Sequence, residues 1–120
     1  MKVIIADDSP ILRSRIKDLL NSINHVEIVG EAENGLETLE LVENLQPDLL
    51  IMDIRMPEMN GISVLKKIKE QGCSCKICIL TNYPYKQYKE KCMEEGADYF
   101  IDKNQDLPAM MSIVEKLANR

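Results

Sequence analysis

The sequence predicts an α/β domain built as a doubly wound parallel sheet of five strands, with helices on both faces. Three observations predict it. Short apolar runs alternate with helix-length amphipathic segments along the whole chain, and strands joined by helical crossovers are parallel. Several runs, such as Leu49-Leu50-Ile51-Met52, are apolar at consecutive positions, as strands covered on both faces are. Polar residues suited to chemistry follow these runs, and sheets of this kind bind ligands beyond the carboxyl ends of their strands.

Taken in order, the strand runs are Lys2–Ala6, Val26–Ala32, Asp48–Met52, Lys76–Leu80 and Tyr99–Asp102. The first helix has Ser9 as N-cap and Pro10 at its first position. Its apolar stripe is Leu12, Ile16, Leu19, Leu20 and Ile23. The second helix carries Leu36, Leu39, Val42 and Leu45 toward the core, and Pro47 closes it. The third carries Ile62, Leu65 and Ile68, and Gly72 stops it. The fourth, near Tyr85–Glu95, is weakly apolar, with Tyr88 and Cys92, and Gly96 stops it. The last carries Leu107, Met110, Met111, Val114 and Leu117. No linker, repeat or low-complexity tract divides the chain, so residues 1–120 read as one domain.

The net charge of −5 argues against nucleic acid or an anionic membrane as the main partner of this chain. No apolar run approaches a membrane span and no signal-peptide layout opens the sequence, so a cytoplasmic location is expected. Cys73, Cys75, Cys78 and Cys92 do not make up the two C-x2-C pairs of a zinc site. Cys78 falls inside a strand run and Cys92 at a helical spacing from Tyr88, so both read as small core residues. The segment from Tyr83 to Lys91 is locally basic and aromatic. It reads as a solvated helix face or a protein-docking face rather than a nucleic-acid patch, given the acidic balance.

Five polar positions carry the chemistry: Asp7 and Asp8, Asp53, Thr81 and Lys103. Each follows an apolar run, so a parallel sheet gathers three carboxylates, a hydroxyl and an ammonium at one edge. Adjacent carboxylates oppose one another's ionisation, which a cation relieves. Oxygen ligands with positions left open for water and phosphate suit Mg²⁺. Singly, each residue has a plainer reading: a turn former, a β-former, a solvated lysine. As a set they point to a divalent cation and a phosphoryl group.

The segments Ile4-Ile5-Ala6-Asp7-Asp8-Ser9, Ile51-Met52-Asp53-Ile54-Arg55-Met56-Pro57, Asn60-Gly61, Ile79-Leu80-Thr81 and Gly96-Ala97-Asp98-Tyr99-Phe100-Ile101-Asp102-Lys103 together resemble a response regulator receiver domain of two-component signalling, with a chemotaxis-Y-like fold. The resemblance covers essentially the whole chain, in order. It implies a flavodoxin-like sheet of strand order 2-1-3-4-5. It also implies Mg²⁺-dependent phosphotransfer from a histidine kinase or phosphotransfer protein, the domain catalysing only its own phosphorylation and dephosphorylation. Asp53 matches the phosphoacceptor. Asp8 matches the direct metal ligand, Asp7 the acid acting mostly through water, and the backbone carbonyl of Arg55 a further ligand. Lys103 matches the phosphate-pairing lysine, Thr81 the switch hydroxyl, and Phe100 the aromatic whose rotamer follows activation. The surface of the fourth helix, last strand and last helix is then remodelled for partner docking or for a homodimer.

Two departures from the family pattern stand out. Asn104 follows Lys103 where proline is usual, and a cis bond there is less favourable without it. Asn82 follows Thr81 where a small residue is usual. With Arg55 and Tyr83 nearby, it is expected to crowd the route to Asp53 and slow both reaction with small phosphodonors and hydrolysis. Rival readings are an interaction module that works without phosphorylation, and a phosphatase using a strand-end aspartate. The second usually wants Asp-x-Asp after the first strand, where this chain has Asp7-Asp8-Ser9-Pro10. The stretch from Val26 to Gly35 resembles receivers coupled to DNA-binding domains, which suggests a longer regulator.

Overall fold

The structure, a computed structural model, describes residues 1–82, 85–104 and 106–119. Its elements alternate strictly: β1 (Lys2–Ala6), α1 (Pro10–Asn21), β2 (Glu27–Ala32), α2 (Gly35–Leu45), β3 (Leu49–Met52), α3 (Gly61–Glu70), β4 (Lys76–Thr81), α4 (Lys86–Glu94), β5 (Tyr99–Asp102) and α5 (Leu107–Ala118). All the strands pair in parallel, in the order β2-β1-β3-β4-β5. The doubly wound class and the strand order are therefore as expected. The chain reverses its winding between β1 and β3, which leaves a crevice at their carboxyl ends.

The two sheet faces have separate cores. Ile4, Leu50, Met52, Ile77 and Ile79 point to one side, against Val42, Val64, Leu65, Ile68 and Cys92 of α2, α3 and α4. Val3, Ile5, Leu49, Ile51 and Cys78 point to the other, against Ile16, Leu20, Met110 and Val114 of α1 and α5. Consecutive residues of β1 and β3 are thus fully buried although they face opposite ways, which accounts for the unbroken apolar runs in the sequence.

Capping fixes where the helices begin. The Ser9 hydroxyl accepts from the Leu12 N–H, the Asn34 side chain from the Glu37 N–H, and the Asn60 side chain from the Ser63 N–H. Gly72 and Gly96 take the positive φ values, 73° and 104°, that follow α3 and α4. The structure corrects the sequence in small ways. Thr81 is the last residue of β4 and pairs with Asp102, not a residue beyond the strand. α2 ends at Leu45, and its C-cap Gln46 adopts a left-handed conformation (φ 48°) just before Pro47. Leu36, expected in the core stripe, is 47% exposed, because α2 buries the stripe of Gly35, Thr38 and Val42 and Leu36 falls beside it. No helix is long and apolar enough to cross a membrane among the described residues.

Candidate functional site

The site is laid down by backbone hydrogen bonds that run one step past each strand. The Asp7 N–H donates to the Ala32 carbonyl (3.0 Å), the Asp53 N–H to Ala6 (3.0 Å), and the Lys103 N–H to Thr81 (2.9 Å). Each functional residue is thereby held in register at a carboxyl end, although its own residue has left the regular ladder. The loop after Asp53 is pinned from below. Gly61 donates to the Ile54 carbonyl at 2.6 Å, and a Cβ there would lie 2.4 Å from the Asp53 carbonyl oxygen. Gly35, at the start of α2, touches the same loop from the side, where a Cβ would come within 2.0 Å of the Met59 carbonyl oxygen. Neither position admits a side chain without moving the loop that carries the acid.

Lys103 is the centre of the site. Its ammonium donates to Asp7 Oδ2 at 2.5 Å and to Asp53 Oδ2 at 2.8 Å, and all three side chains are buried. Asp7 Oδ1 accepts from the Ser9 N–H (2.9 Å), and Asp53 Oδ1 from the Arg55 N–H (3.4 Å). Asp8 is exposed. Carboxylate oxygens of Asp7, Asp8 and Asp53 nevertheless all lie within 4.8 Å of one another, a spacing that one hard cation can span. Burial pushes the Asp53 carboxyl above its ordinary value of 3.8, and the charge of Asp7 adds to the rise, while the Lys103 contact opposes it. At Lys103, burial favours loss of the proton, but the bonds and charges of Asp53 and Asp7 outweigh it and raise the group above 10.5.

The cluster forms the floor of an open cavity of about 470 Å³, with Ser9, Leu12, Arg15, Arg55, Asn82 and Asn104 around it. Arg55 and Asn82, expected at the mouth, are there. Tyr83 lies outside the described residues. Thr81 is fully buried at the end of β4 and does not line the cavity wall. Register puts Phe100 opposite Ile79 and Thr81 opposite Asp102. Side chains alternate along a strand, so Thr81 and Phe100 share the sheet face that carries α4. Phe100 is half-buried there, against the core. Among the described residues no peptide is cis, so Lys103–Asn104 is trans.

Sequence reading missed Arg13 and Arg15. Arg13 Nη1 donates to the Asp7 carbonyl at 2.5 Å, and its Nε lies 3.6 Å from Glu31, which bolts α1 and β2 to the turn bearing the two acids. The available signal was positional: both arginines fall in the turn of α1 that follows the Ser9 cap, next to the strand end.

This fold and this cluster set three carboxylates and a buried ammonium at the carboxyl edge of a doubly wound sheet. Comparison with known proteins makes the class specific: the response regulator receiver domain profile matches residues 3–115, and the chain belongs to that family. It is 31% identical over 97% of its length to the nitrate/nitrite response regulator protein NarL of Escherichia coli, covering 54% of that protein. It is 30% identical over 88% of its length to the virulence regulator BvgA of Bordetella pertussis, covering 50%. The chain thus spans about half the length of these curated relatives. Among solved structures, a LuxR-family DNA-binding response regulator from Staphylococcus aureus superposes with a TM-score of 0.90 at 30% identity, covering 98% of each chain. A chemotaxis CheX–CheY–BeF₃–Mg²⁺ complex from Borrelia burgdorferi matches with a TM-score of 0.89 at 26% identity, covering 98% of this chain and 88% of that one.

Proposed function

We propose that Asp53 accepts a phosphoryl group from a histidine kinase or phosphotransfer protein, that Asp7 and Asp8 hold Mg²⁺ beside it, and that Thr81 and Phe100 relay the result to the α4–β5–α5 surface. The observation that carries this reading is the Lys103 ammonium bridging Asp7 and Asp53 on the floor of an open cavity.

The donor set is all oxygen: the three carboxylates, with the Arg55 backbone carbonyl as a further ligand, which fits Mg²⁺. Bound there, Mg²⁺ supplies charge neutralisation for the transferring phosphoryl oxygens. Asp53 is the nucleophile: one carboxylate oxygen attacks phosphorus, and the histidine nitrogen of the donor leaves. Lys103 already touches the Asp53 oxygen, so it stands ready to pair with a phosphoryl oxygen on the acyl phosphate. Loss of that group to water resets the domain. The chain thus promotes only its own phosphorylation and dephosphorylation.

The new phosphoryl oxygens offer the Thr81 hydroxyl a hydrogen-bond partner. Thr81 moving toward Asp53 vacates space on the α4 face, which Phe100 shares, and the Phe100 ring turns inward to fill it. The changed surface receives a partner or a second phosphorylated copy. In a longer regulator it would release or pair a DNA-binding domain, as the names of the half-covered relatives suggest. A cytoplasmic setting suits this chemistry.

The test is intact mass after incubation with Mg²⁺ and a small acyl phosphate, beside an Asp53→Ala control. A single phosphoryl adduct confined to the native protein supports the reading. No adduct with any donor, while Mg²⁺ still binds, favours an interaction module working without phosphorylation. Asn82→Ala is expected to speed both labelling and hydrolysis by opening the cavity mouth, and unchanged rates would show that Asn82 does not limit access.

A further inference from the structure

Asp8 is the least supported of the three acids. The Asp7 carboxylate meets the Lys103 ammonium and the Ser9 N–H, and the Asp53 carboxylate meets Lys103 and the Arg55 N–H. Asp8 is exposed, and among the described residues its carboxylate has no hydrogen-bond or ion-pair partner. Its backbone is therefore what holds it within 4.8 Å of the other two acids. The peptide joining Asp7 to Asp8 is a rigid plane, and the Asp7 carbonyl in that plane accepts from Arg13 Nη1 at 2.5 Å. Turning the plane would swing the Asp8 side chain away from Asp7 and Asp53. The contact is kept although Arg13 Nε is buried and makes no hydrogen bond, which disfavours folding. Glu31 Oε1, 3.6 Å from that Nε, balances the charge. Arg13 thus brings the turn a donor, with little net charge to repel a cation.

We propose that Arg13 is a positioning residue for the divalent cation: its bond to the Asp7 carbonyl fixes the peptide that aims Asp8, and so sets the affinity for Mg²⁺. The inference rests on the reading above that Asp7 and Asp8 hold Mg²⁺. Arg13 is not itself a ligand; it acts through one backbone oxygen. A ligand already held in place loses less freedom when the ion arrives, so freeing the plane lowers affinity without abolishing it. Two consequences separate this role from a general support of α1. Arg13→Lys keeps a donor for the carbonyl, so it keeps much of the affinity. Glu31 steadies the guanidinium but makes no contact with the Asp7 carbonyl, so Glu31→Gln has a small effect.

The test measures the Mg²⁺ affinity of the full chain by calorimetry. It is repeated by displacement of Mn²⁺, whose free-ion electron spin resonance signal reports binding without any phosphodonor. Arg13→Met should weaken Mg²⁺ binding about tenfold, and Arg13→Lys should recover most of that loss. Glu31→Gln should stay within about twofold of the native chain. Circular dichroism melts without metal record separately what each change does to the fold. Where Arg13→Met does not fold, Arg13→Gln, too short to reach the carbonyl, takes its place. Native affinity in Arg13→Met, even with a lowered melting temperature, would overturn the proposal. So would an equal loss in Glu31→Gln, or no recovery in Arg13→Lys. Failure of the native chain to bind either ion would overturn the metal site itself, and the proposal with it.

Discussion

At the scale of single residues, the site is a charge imbalance. Lys103 faces two buried carboxylates, Asp7 and Asp53, so one negative charge is left over and the fold carries the cost. Asp53 shows it directly, since burial raises its carboxyl above 3.8. A raised value means that the folded state prefers the protonated acid. Stability from that preference is full below the ordinary value and is lost as pH rises through the folded one, which leaves a penalty at neutral pH. Asp53→Asn removes the surplus charge and should raise stability by about 1 kcal/mol in a denaturant titration. Lys103→Met does the reverse, strands two acids and should cost roughly 3 kcal/mol. Added Mg²⁺ should raise the melting temperature at neutral pH. That gain should fade on acidification at a higher pH than an ordinary aspartate would set, because Asp53 takes up its proton earlier. Melting curves with and without Mg²⁺ along a pH series check the sign.

Elements set the geometry within which those charges act. The β3–α3 loop carries Asp53 and Arg55 and is wedged between two glycines, so it is a rigid part. Gly61→Ala puts a methyl 2.4 Å from the Asp53 carbonyl oxygen. It should cost about 2 kcal/mol by overpacking and weaken Mg²⁺ binding in calorimetry, since the displaced loop also bears the Arg55 carbonyl. α4 is the opposite case. Cys92 is its one buried residue, and of the Tyr85 and Tyr88 rings at its start, which lean together at 5.8 Å between centroids, Tyr85 is exposed and Tyr88 only partly buried against the core. Little apolar burial holds this helix, so its amides should exchange fastest among the five helices in native-state hydrogen exchange. A weakly held α4 above Phe100 is what a switch surface needs. The sequence announced this through its sparse apolar pattern between Tyr85 and Gly96. It could not announce the exposure of Leu36, because the face that α2 buries runs through Gly35 and Thr38, which carry little apolar signal.

Across the whole molecule, the sheet and the polar cluster at its carboxyl edge were legible because both rest on local signals. Unbroken apolar runs marked strands covered on two faces, and the polar residue after each run marked the carboxyl end where the acids gather. What stayed illegible were contacts without a periodic signature: Arg13 reaching the Asp7 carbonyl and Gly35 against Met59. The ammonium of Lys103, which the strand-end pattern did place at this edge, is the long-range contact of the site: it meets Asp53 from 50 residues away and Asp7 from 96. That separation has a consequence during synthesis. A nascent chain on the ribosome can complete β1, β3 and their acids while the lysine is still in the exit tunnel, and until β5 emerges and docks the acids repel with no cation of the protein's own between them. On the function proposed above, competence to take a phosphoryl group would arrive together with β5, since only then does the Lys103 ammonium reach the two acids.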